Sequence, residues 1–264
     1  MTYLVAIVLG FVQGATEFIP VSSSGHLIIA RQILGENSTG ELAFDAILQL
    51  ATTLAVLVYF RKDIREIFFN FWKIISGQVV NQKEKILIWS IVLGTLPAVI
   101  FGLLLESKME TVFRNTHLVA LTLVLGSILF WFAQKVAKQN KELSLGRGIV
   151  IGFFQCLALV PGISRSGATI SGGFIADLKK EDIVRFSFLL SIPILLGTGL
   201  KKLLEVRHEL FSTSLGTSLL LGSVVAFITG FFAIDFLIKY LKNHDLDIFI
   251  LYRIALSIAI FLLF

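Results

Sequence analysis

The chain is poor in cysteine, proline and charge: one cysteine (Cys156), four prolines and 16% charged residues in 264. A lone cysteine excludes an intramolecular disulfide framework and a cysteine-rich metal site. A soluble domain carries about 25% charged residues. The shortfall here, beside 56% hydrophobic residues and a mean hydropathy of +0.87, excludes a water-soluble fold. Disorder and collagen require other compositions. Nucleic-acid binding falls with them, because a net charge of +5 in so apolar a chain is better read through where the charges lie. What the chain has in quantity is phenylalanine (24) and glycine (21), which suits membrane helices whose small residues let backbones approach. The length fits about six spans of ~20 residues plus connections, as one membrane domain over residues 1–264. Residues 3–12 are apolar but no basic segment precedes them, and Gln13 and Glu17 interrupt the run. They are expected to be mature structure rather than a signal peptide.

Six apolar segments are candidate spans: 42–60, 86–105, 117–134, 183–200, 217–240 and 247–264. Two others, 3–19 and 148–160, are short or interrupted and run into clusters of Pro, Ser and Gly followed by another apolar piece. They predict two re-entrant helix-turn-helix hairpins. Non-helical backbone at membrane depth is tolerated only inside protein or along a wet cavity, so both hairpins mark a site.

The two hairpin regions are related without a gap. At an offset of 142, Gly10, Phe11 and Gln13 match Gly152, Phe153 and Gln155, Ser22, Ser24 and Gly25 match Ser164, Ser166 and Gly167, and Phe44 matches Phe186. At an offset of 128, Gly94, Ala98 and Gly102 match Gly222, Ala226 and Gly230. The drop of 14 places extra residues of the first half in the charged connection Arg61 to Lys85. The chain therefore reads as an internal duplication, about 1–134 and 148–264 with a linker at 135–147. Three spans and a hairpin per half invert the second copy, giving an all-α membrane protein with an inverted-topology repeat, six spans and two re-entrant hairpins.

The basic residues set an orientation. With these spans, 15 lysines and arginines fall on one side and 6 on the other, while Arg165 and Arg253 lie inside the apolar zone. The first side is expected to be cytoplasmic, with both termini and the mouth of the first hairpin facing outward. The stretch Ile64 to Ile75, with Phe68, Phe69 and Trp72 among basic residues, is expected to be an interfacial helix or an amphipathic loop.

The hairpins also carry the chemistry. In the first, Gln13 and Glu17 are four apart and share a helix face, and Ser22, Ser23, Ser24, Gly25 and His26 follow Pro20. Serine before a helix is an ordinary cap, but an acid and an imidazole at membrane depth are costly and point to function. In the second, Ser164, Arg165, Ser166, Gly167 and Thr169 offer hydroxyls, helix N-terminal N–H groups and a fork-shaped cation, the parts of an anion site. Phosphate suits the combination best. Glu17 with Gln13 offers oxygen to a hard divalent cation that would neutralise a diphosphate. His26 is a candidate nucleophile or proton donor, two roles the residues alone leave open, as they do for Ser23 and water.

The strings QGATEFIPVSSSGH and PGISRSGATISGG closely resemble the two signature regions of the undecaprenyl pyrophosphate phosphatase family, also called the bacitracin resistance protein family. The likeness extends through FQCLAL, FSFLLSIP and Tyr252-Arg253. It implies a plasma-membrane enzyme that removes the terminal phosphate of a C55 polyprenyl diphosphate to regenerate the lipid carrier of cell-wall synthesis. It also implies Mg or Ca dependence, re-entrant helices and a site open to the outer face. On this sequence the family motifs fall on Gln13 and Glu17, on Ser22 to His26 and on Arg165. With the reading of the residues above, catalytic roles are expected for Glu17, Ser23, His26 and Arg165, phosphate binding for Ser22, Ser24, Gly25, Ser164, Ser166, Gly167 and Thr169, and metal binding for Glu17 and Gln13. Position 13 is Gln where the motif also admits Glu, which leaves Glu17 the only acidic metal ligand of that motif. The expected partners are the polyprenyl diphosphate and the bilayer, with room for a homodimer. A rival reading is a polyprenyl-phosphate flippase or anion transporter, because inverted repeats with crossing hairpins also serve alternating access. Among weaker candidates, Asp45 and Gln49 are expected to start a helix or border the site, and His117 and Asp235 to be interfacial. Arg253 is expected to contact substrate or pair with Asp235 or Asp177.

Overall fold

A computed structural model describes residues 2–36, 41–111, 115–210 and 215–263. They form eleven α-helices and one short 3-10 turn: α1 Tyr3–Glu17, α2 Ser23–Leu34, α3 Glu41–Tyr59, α4 Arg61–Ile75, α5 Gln82–Thr111, α6 Thr116–Val136, α7 Leu145–Cys156, the turn Leu157–Leu159, α8 Arg165–Ile175, α9 Lys180–Leu210, α10 Leu215–Asn243 and α11 Asp247–Leu263. No strand occurs among the described residues, only an isolated bridge between Lys141 and Leu178. The all-α membrane class expected from hydropathy is what the chain adopts.

The expected spans map onto α3, α5, α6, α9, α10 and α11. Of these, α5, α6, α9 and α10 are long and apolar enough to cross a bilayer alone, while α3 qualifies together with α4, to which it is joined at an 82° bend. α11 has 17 described residues, about 26 Å of helix against a hydrocarbon core of ~30 Å. The charged connection between α3 and α5 contains helix α4, none of whose residues is buried and whose Phe68, Phe69, Trp72 and Ile75 are all exposed. Its sharp departure from α3 and its exposed aromatic face suit a helix lying in the interface.

Both expected hairpins are present. α1 packs against α2, and α7 against α8. Each return helix starts at a serine whose hydroxyl accepts from the amide two residues into the helix's first turn: Ser22 from Gly25 and Ser164 from Gly167. Both serines are forced to positive φ, 74° and 75°, a region that costs a non-glycine residue on the order of 1–3 kcal/mol and concentrates at functional sites.

Neither hairpin packs chiefly within its own half. α1 lies along α10 and α7 along α5, while α3 touches both α9 and α10 and α6 pairs with α11. The close contacts are reciprocal. A Cβ on Gly10 would run into the Gly222 carbonyl, and one on the matching Gly152 into the carbonyl of the matching Gly94. The Ala6 carbonyl sits over Gly222 as that of Gly148 sits over Gly94. Because lipid is as apolar as the side chains, such backbone-to-backbone packing rather than hydrophobic burial holds membrane helices together. Between the hairpins and α9, the fully buried Phe18, Phe130, Phe174, Phe186 and Phe188 fill the centre.

Candidate active site

The crossing of the hairpins brings the end of α1 to the starts of α2 and α8. Glu17, 4% exposed, is the hub. Its Oε1 accepts from Arg165 Nη2 at 3.0 Å, and its Oε2 accepts from Gln13 Nε2 at 2.8 Å and from the Ser23 hydroxyl at 2.7 Å. Gln13 reaches it because the two are one helical turn apart. Ser23 and Arg165 reach it because each opens the return helix of its hairpin. The Arg165 guanidinium also lies 6.0 Å from the ring of Phe18. Two of its buried donors, Nε and Nη1, have no partner among the described residues. An unsatisfied pair of cationic N–H groups is costly without an acceptor, so the arrangement is built to receive an anion.

The turns are tied directly. The Gly162 amide of the second hairpin donates to Ser22 Oγ of the first at 3.1 Å, and Ser24 and Ser166 stand beside Ser22 and Ser164 with hydroxyl oxygens 3.4 and 3.2 Å apart. Since the Gly25 and Gly167 amides donate to their caps, the N–H groups free of intrahelical partners at the helix starts are those of Ser23, Ser24, Arg165 and Ser166. Gly25 and Gly167 instead serve packing, Gly25 facing Val119 and Gly167 the Phe130 ring. Thr169 stands apart from the anion-facing group. It is fully buried, and its hydroxyl bonds the carbonyls of Arg165 and Ser166 and the Ser187 hydroxyl.

His26 is half-buried on α2, three residues beyond Ser23. Its Nδ1 lies 2.7 Å from the Ser22 carbonyl and its Nε2 2.7 Å from the Tyr252 hydroxyl. A carbonyl only accepts, so Nδ1 carries the proton, and in the neutral ring Nε2 holds the lone pair and accepts from the Tyr252 hydroxyl.

Arg253 occupies a place that the sequence reading missed. It pairs with neither Asp235, which binds Lys239 and Tyr59, nor Asp177, which accepts from the Lys138 amide. Fully buried, it donates to the carbonyls of Pro20, Gly162, Ile163 and Leu123 and to the Ser127 hydroxyl, and lies 4.6 Å from the Phe130 ring. One guanidinium thus joins the turn of each hairpin to α6. The only sequence signal was an arginine inside an apolar span with no acid at helical spacing. Among the other weak candidates, Asp45 is paired with Arg31 of α2, and His117 is exposed against the Phe261 ring.

A divalent Mg or Ca ion needs oxygen ligands. Among the described residues no three His, Cys, Asp or Glu side chains cluster closely enough to cage a metal. Glu17 and Gln13 would be its ligands, but both Glu17 oxygens already accept from Arg165, Gln13 and Ser23 and Gln13 turns its N–H to Glu17, so a cation there would displace one of these donors and take the rest of its shell from phosphate and water. Charged crevices elsewhere are a different matter. One of about 460 Å³ bordered by Asp63, Lys83, Glu142 and Arg185 contains none of these residues, and it holds the ion pairs Arg185–Asp63 and Lys83–Glu142.

The family model for the bacitracin resistance protein BacA matches residues 6–259. The chain belongs to the BacA family. Among curated BacA relatives, the undecaprenyl-diphosphatase of Chlorobium chlorochromatii is 40% identical over 98% of this chain and 96% of its own length. The undecaprenyl-diphosphatase of Mycolicibacterium smegmatis is 40% identical with the same two coverages, and that of Moorella thermoacetica is 40% identical over 100% of this chain and 98% of its own. The BacA match runs from within α1 to within α11, so every residue of the cluster lies inside it.

Proposed function

We propose that the chain is a membrane hydrolase that removes the terminal phosphate of undecaprenyl diphosphate, leaving undecaprenyl phosphate and inorganic phosphate. Release of the monophosphate carrier for cell-wall synthesis is the corresponding role, and bacitracin resistance is what the family name implies. The observation that carries the chemistry is the Ser23 hydroxyl 2.7 Å from a Glu17 carboxylate that Arg165 holds at 3.0 Å. That is the geometry of a nucleophile beside its base.

The terminal phosphoryl group binds against Nε and Nη1 of Arg165 and the leading N–H groups of α2 and α8, with the Ser24 and Ser166 hydroxyls beside them. Ser23 Oγ attacks phosphorus as Glu17 takes its proton, and the bond to the bridging oxygen breaks. The leaving group is a phosphate monoester whose second pKa is near 6, so it departs without strong acid assistance. Water then attacks the phosphoserine, with His26 Nε2 accepting its proton, and the serine oxygen leaves as Glu17 returns the proton. Electrostatic stabilisation and positioning carry most of such a transfer. A divalent Mg or Ca ion on Glu17 and Gln13, when bound, supplies charge neutralisation to the diphosphate oxygens.

The site opens toward the outer face of the plasma membrane, and both termini lie outside. The support for this orientation is the excess of 15 over 6 basic residues on the opposite side.

The test is phosphate release from C55 polyprenyl diphosphate by purified protein in detergent with Mg or Ca, against a chelator control. Metal-dependent release is expected. Absent release together with intact lipid translocation in liposomes would replace the hydrolase with the flippase.

A further inference from the structure

α11 contributes two consecutive residues to the hairpins, Tyr252 and Arg253. Arg253 is fixed by carbonyls of both turns. Adjacent helix residues point about 100° apart, so anchoring Arg253 fixes where Tyr252 can point. It points at His26. The Tyr252 hydroxyl is 2.7 Å from Nε2, and the two rings are nearly parallel, 5° apart in plane with centroids 5.6 Å apart.

The matched halves show that this contact is special to the first hairpin. α8 packs firmly on α6, with Gly167 against Phe130. The equivalent of α6 is α11, and the residue matching Phe130 at the 128 offset is Ile258. Yet Gly25, the match of Gly167, faces Val119 of α6, and Ile258 is 55% exposed. α2 is therefore not packed onto α11 as α8 is onto α6. Among the described hydrogen bonds, His26 to Tyr252 is what ties α2 to α11.

We propose that Tyr252 is a positioning residue for His26: its hydroxyl donates to Nε2 and so holds the imidazole in the Nδ1–H form, with its reactive lone pair in a fixed direction. This rests on the role given to His26 above. The Ser22 carbonyl on one nitrogen and a hydroxyl donor on the other specify that tautomer from both ends. At 45% exposure the tyrosine ring has little packing to lose, and it yields Nε2 to the attacking water when phosphate is bound. Arg253, the next residue, is the charged group behind this pair, and it is occupied with carbonyls.

The test uses full-length Tyr252→Phe, His26→Ala and the double variant with C55 polyprenyl diphosphate. Thermal unfolding of each variant verifies folding, and ¹⁵N NMR of histidine-labelled protein reads the ring nitrogens. Tyr252→Phe should lower kcat about tenfold, the worth of one well-placed hydrogen bond, with KM changed less than about twofold. The His26 ring signals should move away from a single Nδ1–H tautomer. In the His26→Ala background the tyrosine change should add nothing. Wild-type kcat in Tyr252→Phe beside an inactive His26→Ala would overturn the positioning role alone, as would an equal loss in the two backgrounds. A His26→Ala protein at the wild-type rate would instead sink the site reading, and the role of Tyr252 with it.

Discussion

The two hairpins share a backbone plan and differ in what they carry. Ser22 and Ser164 sit at the same unusual φ, cap the same turn and are followed by Ser24 and Ser166 at matching places. The chemistry-bearing positions diverge: Glu17 is matched by Leu159, Ser23 by Arg165, His26 by Ala168, while Gln13 and Gln155 are alike. On one backbone plan, one turn thus carries acid, hydroxyl and imidazole and the other a cation. Two acidic turns would repel one another, and two arginines would bind phosphate without a base. Complementary divergence of equivalent positions gives a neutral Glu17–Arg165 pair that survives burial and still leaves two guanidinium donors for substrate.

That asymmetry can be broken in order of expected effect. Glu17→Gln keeps the shape but removes the base and the partner of Arg165; phosphate release should fall by about 10³ or more, and a loss below tenfold would remove Glu17 from the chemistry. Arg165→Lys keeps the charge but loses the fork, and kcat should drop about 10²-fold because one ammonium cannot hold Glu17 and phosphate together. The shared scaffold is probed next. Gly10→Val and Gly152→Val each push a side chain into a facing carbonyl, so both should destabilise the protein by at least about 2 kcal/mol, read as comparable drops in detergent unfolding temperature. A large effect at one alone would show that the matched crossings are not equivalent. The smallest contrast is between the two glutamines. Gln13→Leu removes a donor to Glu17 and should slow turnover about tenfold, whereas Gln155→Leu, at a buried amide with no partner among the described residues and no matching acid, should leave the rate within about twofold.

Much of this was legible in the residues. Hydropathy gave the long helices, and the Pro, Ser and Gly clusters gave the hairpins, because backbone breaks and apolar runs are local properties. The grouping of Gln13, Glu17, Ser23 and Arg165 was legible too, since intramembrane polar residues are few and must find one another. Thr169 was less readable: a hydroxyl in the first turns of a helix looks the same in sequence whether it faces a ligand or, as here, its own helix and Ser187. The charged connection was ambiguous between helix and loop until its residues formed α4, because an exposed interfacial helix has no buried partner to declare it.

By itself the sequence determined the class, the two hairpins and the short roster of polar residues within apolar segments, all of which follow from composition and period. Only the tertiary structure decided which half each hairpin packs on, that Arg253 binds carbonyls rather than an aspartate, and that Tyr252 meets His26. Those contacts join residues up to 233 positions apart, and an arginine facing backbone carbonyls leaves no complementary side chain for a sequence to display.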